Sequence, residues 1–340
     1  LDFAGEVKKM VNIPIFHASK INDISTARYA IESGKLDMVG MTRAHIADPY
    51  IIKKLINKEE EKIRPCVGAT YCLDRIYEGK DTLCIHNPAT GREMSMPHLL
   101  KKKVSGLKKI IIVGAGPAGL EAARVCSEQG HSVTVFEASD KPGGQINLIT
   151  RSKRRKDMAG IIDWRINICE ANKVKFNFNS FASKEEILSE NPDIVIIATG
   201  GIPNTDILNE GSDLVVSTWD ILSGNVNIED DVILYDDGGN YPGLQAAEMI
   251  SSETSKLEIV TPERFFSPDI GGMNFVPYGK NFYEKNVKIS LNSRVKSVFR
   301  KGNRLGVKIS SDYSDLTFEK ETSQVIVEHG TSPVDDLYFE

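Results

Sequence analysis

Three cysteines fall within nineteen residues, in the string RPCVGATYCLDRIYEGKDTLC, where Cys66, Cys72 and Cys84 supply soft thiolates in a segment rich in Gly, Pro and Asn. Thiolates at such spacing suit iron-sulfur clusters. A cubane needs four ligands, and the spacing calls for a cysteine where Ala69 stands. The readings left open are a three-iron cluster, a four-iron cluster completed by water or a side chain such as Asp74, a zinc site drawing on His86, and plain structural thiols. Cys126 and Cys169 lie in apolar-patterned stretches, where a small buried thiol is ordinary. An odd total of five, with no secretory signal, argues against a disulfide framework.

A second chemistry is written in glycines. Gly114-Ala115-Gly116-Pro117-Ala118-Gly119 follows an apolar β-run and opens a helical pattern. The first glycine permits a tight turn, the second a close approach of backbone to pyrophosphate, and the third close packing of helix on strand. A helix N-terminus there offers free N–H groups and a positive dipole end to phosphates. Eighteen residues beyond Gly119, Glu137 ends the next strand, where a carboxylate accepts from ribose hydroxyls. Gly143 and Gly144 before Gln145, and Gly200 at the end of a later strand, favour FAD or its ADP portion over NAD. Arg155 is a further candidate for a phosphate, although its run of basic residues also reads as a solvated face.

A second turn of this kind, Asp236-Asp237-Gly238-Gly239-Asn240-Tyr241-Pro242-Gly243, has Asp in place of the first glycine. Like charges about 4 Å apart repel by roughly 4 kcal/mol at an effective dielectric near 20, so two carboxylates there oppose a pyrophosphate. The site reads as degraded for NAD(P)H.

The elements that must position these groups follow βαβ grammar. Residues 13–17 and 37–41 read as short strands around a helix over 25–33, and residues 50–61 as one Lys-rich amphipathic helix. A basic linker covers 101–109. Strands are expected at 174–178 and 193–198, a second strand-turn-helix-strand unit from 231, and a β-rich stretch over 287–327. The chain has 340 residues, 42 basic and 47 acidic, for a formal net charge of −5. No global basic field favours nucleic acid or an anionic membrane. No apolar run reaches the roughly 20 residues of a bilayer span. A cytoplasmic location is the expectation.

The strings DMVGMTRAHIADP, RPCVGATYCLDRIY, CIHNPATGRE and VTPERFF resemble the flavin and iron-sulfur oxidoreductases of the trimethylamine dehydrogenase and 2,4-dienoyl-CoA reductase type. Within that family they look most like the dimethylglycine and N-methylproline demethylases. The resemblance implies an α/β chain: the last two units of a (βα)8 flavin barrel (1–60), a cysteine-rich cluster segment and linker (61–105), an FAD or ADP-binding Rossmann domain (106–215), a second, degraded NAD(P)-type domain (216–305) and an incomplete return to the first (306–340). It implies a chain cut at both ends relative to such enzymes. It places Ser19, Lys20, Thr42 and Arg43 at an FMN phosphate, because the loops after the last two barrel strands bind phosphate. Cys66, Cys72 and Cys84 match three of the four cluster ligands, with Ala69 the departure.

The implied activity is oxidation of a small methylated amine, with electrons passed to an acceptor such as an electron-transfer flavoprotein, in an enzyme that is a homo-oligomer at full length. An NAD(P)H-dependent enoate or dienoyl-CoA reductase, or a non-catalytic nucleotide-binding module, are the competing readings. No residue can be named as substrate acid or base. His17 and His45 read as local hydrogen-bonding residues, and Trp164 and Trp219 as core.

Overall fold

The computed structural model describes residues 1–18, 20–103, 105–254 and 256–340. The chain divides into two compact units, one of residues 1–143 and 157–196, the other of residues 144–156 and 197–340.

The first unit opens with α1 (Asp2–Met10), β1 (Phe16–His17), α2 (Ile24–Glu32), β2 (Met38–Val39), α3 (Thr42–Ala47) and α4 (Ile51–Ile56). Asp23 starts α2 by accepting from the Thr26 N–H, which satisfies one of the free amides of a first turn. Gly34, at φ +69°, follows its end. β1 and β2 pair in parallel with Phe16 opposite Met38, so the βαβ unit is present. The single helix expected over 50–61 is instead two pieces, α4 and a 3-10 turn at Glu60–Lys62, separated by Lys58 at φ +59°. The Lys54 ammonium bridges the break, donating to the Asp48 carboxylate at 2.5 Å and the Lys62 carbonyl at 2.7 Å. The cysteine segment, expected to be irregular, carries a helix, α5 (Tyr71–Tyr77), entered through Thr70 at φ +60°.

β3 (Lys109–Val113), α6 (Pro117–Glu128) and β4 (Ser132–Phe136) follow. The chain leaves this unit over α7 (Ile146–Ile149) and returns with α8 (Gly160–Ala171), β5 (Lys175–Asn177), α9 (Lys184–Ser189) and β6 (Ile194–Ile197). The sheet order is β5-β4-β3-β6, with β3 parallel to β4 and β4 to β5. The Ile-rich β3 is buried almost throughout, as the central strand of a sheet covered on both faces must be.

The second unit continues with β7 (Gly201–Pro203), β8 (Val216–Ser217), α10 (Thr218–Ser223), β9 (Asp231–Asp236), α11 (Tyr241–Glu253), β10 (Lys256–Val260), α12 (Gly272–Glu284) and β11 (Lys288–Ser290). Then come β12 (Ser293–Lys301), β13 (Arg304–Ser311), β14 (Thr317–Thr322), β15 (Gln324–Glu328) and β16 (Thr331–Pro333). Its main sheet has the order β11-β10-β9-β15-β8 and is parallel throughout. Strand alternation divides β9 between two cores. Val232 and Leu234 join Leu244, Ile250 and Ile259, while Ile233 and Tyr235 join Val298, Val307 and Val327 of the three-stranded meander β12-β13-β14 and of β15. Residues 304–328 thus stay with this second sheet. Residues 331–333 pair with β7, and the Val334 N–H donates to the Gly200 carbonyl at 3.0 Å, contacts that also lie within the second unit.

Candidate functional site

At the first turn, Gly114 takes φ +104°, a conformation that costs a side chain dearly, and its N–H donates to the Phe136 carbonyl at 2.8 Å. Ala115 donates its N–H to Glu137 Oε2 at 2.6 Å, and the Ser139 N–H meets Oε1 of the same carboxylate at 2.8 Å. Glu137 is therefore fixed at the mouth of the turn with lone pairs to spare, since an ionised carboxylate has about four acceptor sites. Gly116 is the N-cap of α6 and Pro117 its first residue, and no side chain caps the end. A Cβ placed at Gly116 would meet no atom within 4 Å. Pro117 and Ala118 are exposed, whereas Gly119 is buried under the helix. Free amides, a positive dipole end and an open cradle fit a pyrophosphate.

Gly144, Gln145, Arg155 and Gly200 belong to the second unit. Gly144 and Gly200 both take positive φ, +50° and +72°, and Gln145 is the N-cap of α7. Arg155 is not a solvated face. It is buried, with its guanidinium 4.5 Å from the centre of the Tyr241 ring and its Nε without a hydrogen-bond partner among the described residues.

Cys66, Cys72 and Cys84 line one cavity of about 20 Å³ together with Arg43 and Ala69. Burial pushes the Cys66 thiol up, while the Gly68 amide and the cations Arg43 and Lys20 pull it the other way. Burial raises Cys72 too, with Cys66 and Cys84 adding to it. Among the described residues no group of three or more His, Cys, Asp or Glu side chains is arranged to hold a metal ion. The three thiols are the donor type that an iron-sulfur cluster takes, but the cavity they line, about 20 Å³, has room for about one water. Ala69 brings no donor atom to it, and Asp74 is not among the residues that line it. His86, the histidine of the zinc alternative, is fully buried with its Nδ1 bonded to the Pro65 carbonyl at 2.8 Å and its ring edge-on to Trp164; its Nε2 has no partner among the described residues, and it is not among the residues that line the cysteine cavity.

Of the residues expected at an FMN phosphate, Ser19 lies outside the described residues. Lys20 pairs with Asp157 at 3.2 Å, and Arg43 lines the cysteine cavity. Both act electrostatically on Cys66. Thr42 is exposed at the first position of α3, whose end has no side-chain cap.

The second turn is closed by its own residues. The Asp237 N–H donates to the Glu328 carbonyl at 2.9 Å, and the Gly238 and Gly239 N–H groups donate to Asp236 Oδ1 at 3.0 and 3.1 Å. Asp236 is fully buried, tucked beneath the turn rather than facing a pyrophosphate. Asp237 accepts from His329 Nδ1 at 2.8 Å. The amides of residues 237–239 are thus bonded within the chain, while the first turn of α11 behind Asn240, like that of α6, has no side-chain cap.

Nothing in the sequence pattern singles out a third polar centre, built in the first unit around Trp164. Although burial opposes it, Arg124, Arg165 and Arg64 hold the Glu121 carboxyl down at about 2. Glu121 pairs with Arg124 at 2.6 Å and Arg165 at 2.8 Å. These residues come from α6, α8 and the coil before α5, separations that no local pattern reports.

Residues 112–172 match the model of the NAD(P)-binding Rossmann-like domain. The chain is 52% identical, over its whole length and half of the relative's, to a probable N-methylproline demethylase of Rhizobium meliloti (strain 1021). It is 40% identical, again over all of the chain and half of the relative, to an N,N-dimethylglycine/sarcosine dehydrogenase of Chromohalobacter salexigens. Among solved structures, a 2-naphthoyl-CoA reductase superposes with a TM-score of 0.89 at 29% identity, covering 99% of this chain and 50% of that one. The chain spans about half the length of the curated relatives it matches, and over that length it is similar to proteins named as demethylases, dehydrogenases and reductases.

Proposed function

We propose that the chain is the nucleotide-binding part of a flavin-dependent enzyme that oxidatively demethylates a small amine of the dimethylglycine or N-methylproline class and delivers electrons to an external acceptor, an electron-transfer flavoprotein. The observation that carries this reading is the 52% identity along the entire chain to a protein named as a probable N-methylproline demethylase. A bound flavin supplies the acceptor for the hydride equivalent of the N-methyl carbon. The chain's own residues do the holding. Gly116 and the first amides of α6 take the pyrophosphate of FAD or ADP, and Glu137, fixed by Ala115 and Ser139, takes ribose hydroxyls. Cys66, Cys72 and Cys84 would hold an iron-sulfur cluster with no protein ligand from Ala69. Ser19, Lys20, Thr42 and Arg43 remain our assignment for an FMN phosphate.

The direction of electron flow is supported by the second turn, whose amides at 237–239 are bonded within the chain and so are withdrawn from a nicotinamide dinucleotide. The test is anaerobic mixing of the holoenzyme with N-methylproline or dimethylglycine, following the visible flavin band. Bleaching by either amine and none by NADH is expected. Rapid bleaching by NADH with none by the amines would overturn the reading in favour of a reductase, the activity named for the 2-naphthoyl-CoA enzyme.

A further inference from the structure

The first unit holds a cavity of about 330 Å³, at the lower end of the roughly 300–1,000 Å³ range of small-molecule sites. Arg64 lines it and is only 7% exposed. Its guanidinium lies 4.3 Å from the centre of the Trp164 ring, and its Nε has no hydrogen-bond partner among the described residues. The neighbouring carboxylates are already engaged. Glu121 is bonded to Arg124 and Arg165, Glu128 to Arg124 at 2.8 Å, and Asp48 to Lys54 and to the amides of Tyr50 and Arg64. Lys62, which also lines the cavity, is paired with Glu59 at 2.6 Å, so five cations face four carboxylates and the unmatched charge sits on Arg64. A buried charge without a partner is costly. Burial, together with Arg124 and Arg165, pulls the Arg64 guanidinium down to about 10.

Leu99, Leu100 and Ile168 form apolar wall beside Trp164. One spare positive charge calls for a monoanion, and an apolar wall calls for an apolar body behind it. We infer that this cavity binds a small organic monocarboxylate, held by Arg64 and packed against Trp164 and the leucines. A guanidinium carries five donors, and with its Nε unpartnered Arg64 can offer the two parallel hydrogen bonds that a carboxylate accepts.

The probe is benzoate, titrated into the full chain carrying Trp219→Phe, so that tryptophan emission reports Trp164 alone. Saturable quenching by benzoate is expected, with none by neutral benzamide. Arg64→Met is expected to weaken benzoate binding by about tenfold or more, on the order of one charged hydrogen bond, while the melting temperature of the free protein holds or rises. Arg64→Lys keeps the charge and is expected to retain part of the binding. Absence of saturation by benzoate would overturn the proposal, as would equal quenching by benzamide. Saturation by inorganic phosphate in place of benzoate would overturn the ligand class. A large fall in the melting temperature for Arg64→Met, with benzoate binding unchanged in Arg64→Lys and in wild type lacking any carboxylate preference over chloride, would make Arg64 a structural partner of Trp164 and end the inference.

Discussion

Asp236 illustrates what a residue's identity does and does not convey. The sequence places a carboxylate where a nucleotide turn needs glycine, and from that alone repulsion of phosphate follows. Which way the carboxylate points is decided by space: a Cβ at Gly243 would lie 2.6 Å from the Asp236 carboxyl carbon, so only glycine there leaves room for the side chain to fold under the turn. Burial pushes this carboxyl up from 3.8 to about 7, and the Glu328 and Asp237 charges add to the shift against the two amide bonds. Burial raises Glu328 as well. A folded-state pKa above the unfolded one contributes stability that is complete below the unfolded value and is lost as pH rises through the folded value. Stability should therefore fall as pH climbs from about 4 toward 7. Asp236→Asn keeps the carbonyl acceptor for Gly238 and Gly239 and cannot ionise. Thermal melts across that range should show a shallower fall for the variant than for wild type, and a higher melting temperature near pH 8. An unchanged slope would assign the pH dependence to other groups.

Among the elements, the strand-turn-helix from β3 to α6 was readable because everything it needs is local: an Ile run, three spaced glycines, Pro at the first helical position. The helix α5 was not, because Gly, Pro and Asn around it suggest irregularity while the heptapeptide Tyr71–Tyr77 itself is an adequate helix former. The break between α4 and the turn at Glu60–Lys62 was hidden for the opposite reason. The Lys-rich pattern continues across it, since Lys54 spans the gap to Asp48 and the Lys62 carbonyl. The turn before α6 permits a clean separation of fold from function. Gly116 has φ −70° and open space where a Cβ would stand, so Gly116→Ala should cost at most about 1 kcal/mol of stability, the scale of an N-cap change. Gly114→Ala, at φ +104°, should cost more, roughly 1–3 kcal/mol. Nucleotide retention should nonetheless be lost in Gly116→Ala, because the methyl group fills the cradle. Calorimetric titration of the apoprotein with ADP, beside thermal melts, measures both. Wild-type ADP affinity in Gly116→Ala would remove pyrophosphate from this turn.

The molecule as a whole is least legible where the chain closes its sheets over long separations. β15 enters the second sheet between β9 and β8 only after the meander β12-β13-β14 has intervened, and nothing local in Gln324–Glu328 announces that position beyond a buried apolar run. The contrast between the two ends of the chain then predicts where it opens. β9, β10 and β15 are covered on both faces by the cores described above. The strands β1 and β2 are two residues each, and their paired residues Phe16 and Met38 are 62% and 54% exposed. Half of the core beneath them is alanine, Ala4, Ala27, Ala30 and Ala44 beside Ile21, Leu36, Met41 and Ile51, and Phe3, Met10, Ile13 and Ile56 are exposed. Few buried apolar contacts and a short ladder mean a low free energy of local opening. Amide exchange of the full chain followed by mass spectrometry should therefore show residues 1–40 exchanging far ahead of residues 231–236, 256–260 and 324–328. Protection of the β1 and β2 amides equal to that of β9 would mean that their exposed apolar face is covered in solution, and a fall in that protection on dilution would identify the cover as another copy of the chain.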